Sequence, residues 1–360
     1  MSASMNPPMH DPTRPPTSER ACARAVWARV AIAGAFVVCA VCGGCAGAQS
    51  VLDAQGSQAR MLVELIGSVT LVCALVWFAV MIVLLRAIRR RRVEAAGPAP
   101  DAARERRMAF VVAGAAIATV LIVSALTVAS FIVSRRIGAD AEQPLVIRVR
   151  GWQWWWEVSY PGEPADRTLV TANEIHVPVG RPVRLELAAG DVIHSFWVPN
   201  LTGKQDMIPG RDNTLRFTAL RAGTYRGQCA EFCGLQHAHM ALVVIAQEPA
   251  EFDAWRDAQL APAMAPALPE LQAGQQVFMS KPCAACHAIR GTSAAGTLGP
   301  DLTHVGSRRS IAAGLFETTR GTLAAWIADP QTLKPGNNMP MVDLSADELQ
   351  AVSAYLESLR

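Results

Sequence analysis

One loop of this 360-residue chain reads Cys229-Ala-Glu231-Phe-Cys233-Gly-Leu-Gln-His237-Ala-His-Met240 and brings together two thiols, an imidazole and a thioether. Thiolate and thioether sulfurs are soft ligands, so this set favours copper over zinc or a hard cation. Cysteines four residues apart can both bridge a pair of copper ions, each of which then takes one histidine and one weaker ligand. Sharing one electron over two bridged metals changes the geometry little on reduction, so the loop predicts an electron-transfer centre. A structural zinc site is the alternative, and Met240 disfavours it.

The sequence on either side of the copper loop alternates in short apolar runs from residue 144 onward. Turn signals such as Pro161-Gly162 and Pro209-Gly210 separate the runs. Short strands with regular breaks predict a β-sandwich with the copper loop at one end. His194 lies at the end of a predicted strand and is the candidate for a second imidazole ligand. The clearest runs are residues 145–150, 183–187, 214–217 and 241–245.

A second metal-binding string, Cys283-Ala-Ala-Cys286-His287, is the covalent haem c attachment pattern. In this pattern two thiols add to the haem vinyl groups and the adjacent histidine binds the iron. Helical patterns at 271–278 and 345–359 predict an all-α domain around it. The haem supplies much of the apolar volume that so short a domain lacks.

Composition sets the boundaries of these two domains. The β-sandwich is predicted to occupy 139–250 and the haem domain 269–360. Between them, 251–268 is rich in Ala and Pro, which predicts a linker of limited flexibility.

Two uncharged stretches, 65–85 and 108–134, each exceed the roughly 20 residues that a helix needs to cross a ~30 Å hydrocarbon layer. They predict a two-helix transmembrane hairpin with spans at 61–86 and 108–134. Eight arginines lie between the two stretches, and only two closely follow the second. The positive-inside rule therefore places the connecting loop, 87–107, in the cytoplasm and everything from about residue 139 onward outside it.

The first 48 residues are predicted to be a signal peptide. A short apolar stretch follows several arginines and ends in Ala46-Gly47-Ala48, a small-x-small cleavage pattern. The mature chain would then begin near Gln49, and 49–60 would form a short extracytoplasmic segment. Lipidation of Cys45 and an uncleaved third helix are the two alternatives.

Together these features resemble subunit II of the haem-copper cytochrome oxidases. The resemblance covers the helix pair, Gly151-Trp-Gln-Trp154-Trp-Trp156, His194-Ser-Phe-Trp-Val-Pro199, Ile208-Pro-Gly-Arg211 and the copper loop. It implies a cupredoxin-like β-sandwich that holds a binuclear copper centre, CuA. The ligands it implies are His194, Cys229, Cys233, His237, Met240 and the backbone carbonyl of Glu231.

The same resemblance implies two further roles. The carboxylate of Glu231 would reach a magnesium ion at the boundary with subunit I, and Trp154 would receive electrons from cytochrome c. An aromatic belt at the membrane surface is the alternative for Trp154 and its neighbours. His176 and His239 match no ligand position and are expected at the surface or beside the ligands. Glu105 lies where many family members place a glutamate near the mouth of a proton channel.

The C-terminal domain resembles class I cytochromes c in the order and spacing of its motifs. The resemblance implies His287 as the proximal iron ligand and Met339, in Lys334-Pro-Gly-Asn-Asn-Met339-Pro340, as the distal one. A His/Met pair gives a relatively high potential, suited to accepting electrons from a cytochrome c or a bc1 complex. His304 is a rival sixth ligand. Pro340 restricts the preceding residue to extended backbone, which favours Met339 over Met341.

Subunit II with a fused cytochrome c is the arrangement of caa3-type oxidases. The resemblance implies an electron-input subunit of a proton-translocating terminal oxidase, which passes electrons from cytochrome c through haem c and CuA to subunit I. Subunit I would reduce O2 to water, and subunit III would be a further partner. Both soluble domains would lie on the periplasmic side of a bacterial inner membrane. Between residues 140 and 257, 11 Lys and Arg stand against 15 Asp and Glu, and an acidic domain attracts a basic donor.

The closest alternative function is the same electron module serving a haem-copper nitric oxide reductase. Quinol oxidase subunit II lacks the copper ligands, and nitrous oxide reductase has a large additional domain and no comparable helix pair. A copper-storage or haem-sensing membrane protein belongs to a different class, because it needs neither a donor nor a catalytic partner. Nothing in the sequence suggests nucleic-acid binding.

Overall fold

A computed structural model of the chain describes residues 48–93, 102–139, 143–164 and 167–360. The predicted signal peptide up to residue 47, including Cys45, and the middle of the predicted cytoplasmic loop lie outside the described residues. The described chain consists of two long apolar helices, a β-sandwich and a helical C-terminal domain. The predicted fold class is therefore confirmed.

The first two helices are α1 (Ser57–Val93) and α2 (Ala102–Ile137). Both are long and apolar enough to cross a membrane, with mean hydropathies of 2.7 and 2.5 in their apolar windows. Most of their large apolar side chains are exposed, which a soluble protein avoids on this scale. The predicted spans lie inside these helices, which extend further because the flanking arginines are good helix formers.

The residues that precede α1 are bonded to the β-sandwich. The N–H groups of Gln55 and Gly56 both donate to the carbonyl of Asn200, at 2.7 and 3.0 Å. A Cβ atom on Gly56 would lie 2.0 Å from the carbonyl oxygen of Leu201, so only glycine permits this approach. These bonds fix the position of the start of α1 relative to the sandwich.

Ten strands form the sandwich: β1 (Leu145–Trp152), β2 (Trp155–Tyr160), β3 (Leu169–Ala172), β4 (Glu174–Pro178), β5 (Val183–Ala189), β6 (His194–Trp197), β7 (Gln205–Met207), β8 (Asn213–Phe217), β9 (Gly223–Cys229) and β10 (Ala241–Gln247). They make two five-stranded sheets in the orders β3-β2-β1-β5-β8 and β4-β10-β9-β6-β7. β1 pairs with β5, and β4 with β10, in parallel, while the other pairs are antiparallel. All four predicted strand runs are confirmed.

Alternation along the strands explains which side chains enter the core. In β1, Ile147 and Val149 are buried between the sheets and the intervening Arg148 faces solvent, as the two-residue period of a strand requires. Trp156 and Phe196 meet edge to face across the core, with 5.9 Å between ring centroids. The sandwich thus provides a dry, close-packed support for the copper loop, which joins β9 to β10.

The predicted linker begins as a helix. Helix α3 (Pro249–Leu260) buries Phe252 in the sandwich core, and its Trp255 stacks on the imidazole of His176 at 3.9 Å. Phe252 and Trp255 are three residues apart and so share one helix face. This local pattern outweighs the Ala- and Pro-rich composition, and only 261–268 remains without regular structure.

The C-terminal domain is mainly helical. It contains α4 (Pro269–Ser280), α5 (Cys283–Cys286), a short hairpin of β11 (Ser310–Ile311) and β12 (Phe316–Glu317), α6 (Arg320–Ala328), α7 (Pro330–Leu333) and α8 (Ala346–Ser358). Helices α4 and α8 cross so closely at Gly274 that a Cβ atom there would lie 2.1 Å from the Ala351 carbonyl oxygen. Glycine is therefore needed at this crossing. A capping box between Ser345 and Glu348 fixes the start of α8.

We expect Phe252→Ala to destabilise the β-sandwich by about 3 kcal/mol, because it leaves a cavity where α3 enters the core. The measurement is the thermal or denaturant midpoint of the detergent-solubilised chain, followed by tryptophan fluorescence. Met264→Ala is the matched control, since Met264 lies in the same connecting segment and is 79% exposed. Equal midpoints for the two variants would show that α3 does not contribute to the core.

Candidate metal centres

The two cysteines of the copper loop face each other at the end of the sandwich. Cys229 is the last residue of β9, and Cys233 follows in the loop. Their Sγ atoms are 3.7 Å apart and both side chains are buried. A short 3-10 helix, His237–His239, then turns the chain back into β10. Strand end and helical turn together bring the two sulfurs to one point.

The other predicted ligand atoms lie around this pair of sulfurs. Cys229 Sγ is 3.9 Å from His194 Nδ1 and 3.2 Å from the Glu231 carbonyl oxygen. Cys233 Sγ is 3.5 Å from His237 Nδ1 and 3.8 Å from Met240 Sδ. Each cysteine therefore has one histidine and one weak ligand beside it, the division that two bridged copper ions require.

His194 is held so that Nδ1 faces the sulfurs. Its Nε2 is 2.8 Å from Asp191 Oδ1, and the other carboxylate oxygen of Asp191 accepts from the main-chain N–H of Gln153 at 2.6 Å. A carboxylate on the far nitrogen fixes the tautomer and ring orientation of a metal-binding histidine. The pairing register places His194 near Cys229 because β6 is next to β9, with Phe196 opposite Cys229.

The carbonyl of Cys233 receives two side-chain hydrogen bonds. Gln153 Nε2 donates to it at 2.8 Å, and Trp154 Nε1 donates to it at 3.0 Å. Trp154 is only 7% exposed, and the C-terminal domain lies against its ring at Gly336, where a Cβ would be 3.5 Å from the Trp154 ring. Trp154 is thus in contact with both the copper loop and the C-terminal domain.

The short Sγ–Sγ contact separates the pKa values of the two thiols. A hydrogen bond with Cys233 lowers the pKa of the Cys229 thiol to about 3. The same contact, together with burial, raises the pKa of Cys233. The pKa of His194 is raised: burial acts to lower it, but the hydrogen bonds to Cys229 and Asp191 outweigh this effect. One proton shared between two sulfurs is the arrangement that a bridging metal pair displaces, since metals bind thiolates.

These residues fit a copper centre on donor chemistry and on spacing. Ligand atoms about 2.0–2.3 Å from one metal ion are up to about 4 Å apart. The sulfur, nitrogen and oxygen pairs described above lie between 3.2 and 3.9 Å. The metal-binding atoms of His194, Cys229 and Cys233 all lie within 4.8 Å of one another. The side chain of Glu231 is exposed, so its predicted second role in binding magnesium would need a partner subunit.

The haem attachment string begins at a one-turn helix, α5, and ends at His287. His287 Nδ1 is 2.7 Å from the carbonyl oxygen of Pro300, which assigns the proton to Nδ1 and leaves Nε2 free to bind iron. A Cβ on Gly299 would lie 2.5 Å from His287 Cε1, so glycine is required beside the ring. Burial lowers the pKa of His287, which favours the neutral, ligating form. Cys283, Cys286 and His287 therefore fit covalent haem c.

Met339 and Met341 differ in environment. Met339 packs against the buried cluster of the C-terminal domain, as Cys283 does, whereas Met341 is 62% exposed. Asn337 accepts from the Met339 N–H at 2.8 Å. Its amide donates to the carbonyls of Pro330 and Lys334. Asn337 therefore stiffens the backbone of the loop that carries Met339.

Three further histidines in the described part of the chain bond to other protein groups. His304 Nε2 is 3.0 Å from the Ala261 carbonyl oxygen, which occupies the nitrogen that a rival iron ligand would use. His239 Nδ1 bonds Gln236 at 2.8 Å, and His176 Nδ1 bonds Gln247 at 2.7 Å. His176 is buried beneath Trp255 rather than placed at the surface.

Three residues that the sequence analysis did not single out hold the site together: Asp191, Gln153 and Lys334. A signal for Asp191 was present, because it lies three residues before His194 and metal-binding histidines usually have a carboxylate or carbonyl on their second nitrogen. Gln153 and Lys334 carry no local signal, because their partners are distant in sequence.

Two protein families match this chain. The family described as cytochrome c oxidase subunit II, periplasmic domain, matches residues 162–247, and the cytochrome c family matches residues 271–360. Over these residues the chain is similar to a subunit II periplasmic domain followed by a cytochrome c domain. The subunit II domain implies CuA copper, and the cytochrome c domain implies haem c. The residue-level ligand sets stay predictions that the geometry accommodates.

Cytochrome c oxidase subunit 2 of Alkalihalophilus pseudofirmus is 41% identical over 220 residues, which are 61% of this chain and 62% of that protein. Cytochrome c oxidase subunit 2 of Bacillus subtilis is 34% identical over 235 residues, or 62% of this chain and 64% of that protein. The chain thus covers less than two thirds of the length of these relatives. The crystal structure of the periplasmic domain of subunit II of cytochrome oxidase of Bradyrhizobium japonicum is 32% identical and covers 34% of this chain and 95% of that chain, with a TM-score of 0.31.

We expect Cys229→Ser and Cys233→Ser each to abolish the EPR spectrum of an electron shared between two coppers, because each removes a bridging thiolate. His194→Ala should disturb the spectrum, and His239→Ala should leave it unchanged. Cys73→Ser is the control for loss of a thiol, since Cys73 is exposed on α1. A single-copper or zinc centre in the metal-replete wild type would contradict the ligand assignment.

We expect Met339→Ala to remove the thioether-to-iron charge-transfer band of the ferric haem and to lower the haem potential. Met341→Ala is the matched control and should leave the band and the potential in place, because its side chain is mostly in solvent. Optical spectra and redox titrations of both variants make the comparison. The reverse pattern would assign the iron ligand to Met341.

Proposed function

We propose that this chain is the electron-input subunit of a proton-translocating terminal oxidase. It passes electrons from cytochrome c through its own haem c and CuA to the haem-copper subunit that reduces O2 to water. Subunits I and III are the proposed partners, and a soluble cytochrome c or a bc1 complex is the proposed donor. Helices α1 and α2 cross the bacterial inner membrane, with both soluble domains in the periplasm.

The proposal assigns a ligand set to each centre. His194, Cys229, Cys233, His237, Met240 and the Glu231 carbonyl hold the two coppers. Cys283 and Cys286 attach the haem, and His287 and Met339 bind its iron. When bound, these groups each take up and release one electron without bond-making on an organic substrate. The Glu231 carboxylate is the candidate ligand for a magnesium ion shared with subunit I.

One observation supports the electron route more than any other. The backbone loop that leads to Met339 lies against Trp154 at Gly336, and the Trp154 indole N–H donates to the carbonyl of Cys233. Trp154 therefore bridges the loop of the proposed iron ligand and a proposed copper ligand. Because this face of Trp154 is covered, its proposed role changes from receiving electrons from a separate protein to receiving them from the fused domain.

The same module in a nitric oxide reductase remains the second candidate function. Purified complex should oxidise reduced cytochrome c with O2 as the acceptor, measured by an oxygen electrode and by cytochrome absorbance. Turnover with nitric oxide and none with O2 would favour the second candidate. Identification of the co-purifying subunits then decides which catalytic partner is present.

We expect Trp154→Phe to slow electron transfer from haem to copper severalfold, because the indole N–H bond to the Cys233 carbonyl is lost. Flash photoreduction of the haem, followed by absorbance of both centres, measures the rate. Trp152→Phe is the matched control, since the Trp152 indole donates to Glu157 at 3.3 Å. Equal slowing in both variants would argue against a specific path through Trp154.

A further inference from the structure

A buried lysine lies between the two soluble domains. Lys334 is 2% exposed, and its ammonium donates three hydrogen bonds, the full number that the group can make. The acceptors are the main-chain carbonyls of Trp154 at 2.9 Å, His239 at 2.8 Å and Ala312 at 2.9 Å. Burial lowers its pKa to about 7, and the nearby Cys233 acts in the opposite direction.

The three acceptors come from both domains. Trp154 belongs to the turn between β1 and β2 and His239 to the copper loop, whereas Ala312 belongs to the hairpin of the cytochrome c domain. Lys334 itself is the first residue of the loop that ends at Met339. One side chain therefore joins the loop of a proposed iron ligand to the two backbone segments that surround the proposed copper ligands.

Two neighbouring hydrogen bonds also join the copper loop to the cytochrome c domain. Gln236 Nε2 donates to the Pro335 carbonyl at 2.9 Å, one residue after Lys334. The Ala241 N–H, at the end of the copper loop, donates to the Ala313 carbonyl at 3.0 Å. The copper loop is thus bonded to the cytochrome c domain at two further positions.

The stability of either domain alone does not explain why a lysine is buried at this position. A buried ammonium loses its hydration and is costly unless it is fully hydrogen-bonded. An apolar residue would fill the same volume within one domain at lower cost. A long cationic side chain, unlike an apolar one, can donate hydrogen bonds at the same time to three carbonyls from separate segments.

We propose that Lys334 is a positioning residue that holds the Met339 loop against Trp154 and the copper loop at a fixed separation. The inference rests on the proposed function, because positioning matters only if an electron crosses this interface. The rate of electron transfer falls as the separation of the two centres grows, so the interface geometry bears directly on the transfer rate.

The test uses the full chain with both metal groups loaded, and compares Lys334→Met with wild type. Rates come from flash photoreduction of the haem, and the potentials of both centres are measured in the same samples. We expect the two-copper EPR spectrum and the thioether band to persist. The transfer rate should fall severalfold, beyond what any change in driving force explains. A wild-type rate in this variant would overturn the proposal.

Lys281→Met is the matched control, because Lys281 lies in the same domain and binds Glu348 and the Asp343 carbonyl. It should transfer electrons at the wild-type rate, and equal slowing in both lysine variants would also overturn the proposal. If Lys334→Met loses the thioether band, Lys334→Gln, which keeps two N–H donors, decides instead. A slowed rate with the band intact supports the positioning role, and a wild-type rate contradicts it. Absence of a two-copper spectrum in the wild type would instead refute the proposed function.

Discussion

The surrounding structure must hold the two buried sulfurs of Cys229 and Cys233 at their separation of 3.7 Å. Such a pair is useful only if the loop that carries it neither opens to water nor relaxes when charge changes. The sandwich meets the first demand, because Cys229 ends a central strand and both cysteine side chains are buried. Hydrogen bonds meet the second demand. The carbonyl of Cys233 is bonded twice, and His194 is fixed through Asp191. Under the proposed function, rigid, pre-oriented ligands would keep the geometry the same in both redox states.

The sequence predicted those parts of this arrangement that depend on short-range spacing. The copper loop and the haem string are contiguous, so their ligand atoms could be recognised without knowing the fold. The strands were predictable from alternation over a few residues, and the membrane helices from long uncharged stretches. The helix at 249–260 was not predicted because the wider segment 248–269 is rich in Ala and Pro, although Phe252 and Trp255 have the spacing of a buried face.

Features that depend on distant pairs were not predictable in this way. Lys334 and Trp154 are separated by 180 residues, and nothing in either local sequence indicates that they meet. Trp154 was expected to receive electrons from outside, yet the cytochrome c domain lies over it. The partners of the Asn337 amide are likewise visible only in the folded loop, where it donates to the carbonyls of Pro330 and Lys334.

Fusion and docking contribute different things to electron transfer between the domains. Eight residues, 261–268, connect the end of α3 to the start of α4, and a fully extended chain of this length reaches about 29 Å at most. Such a short tether keeps the local concentration of one domain around the other high, in the millimolar range. A tether does not choose an orientation, however, and a haem that faced away from Trp154 would be close and still ineffective. The orientation must come from directional contacts, and carbonyl acceptors on both domains provide them. A single buried cation can satisfy several such acceptors at once, which an apolar interface cannot do.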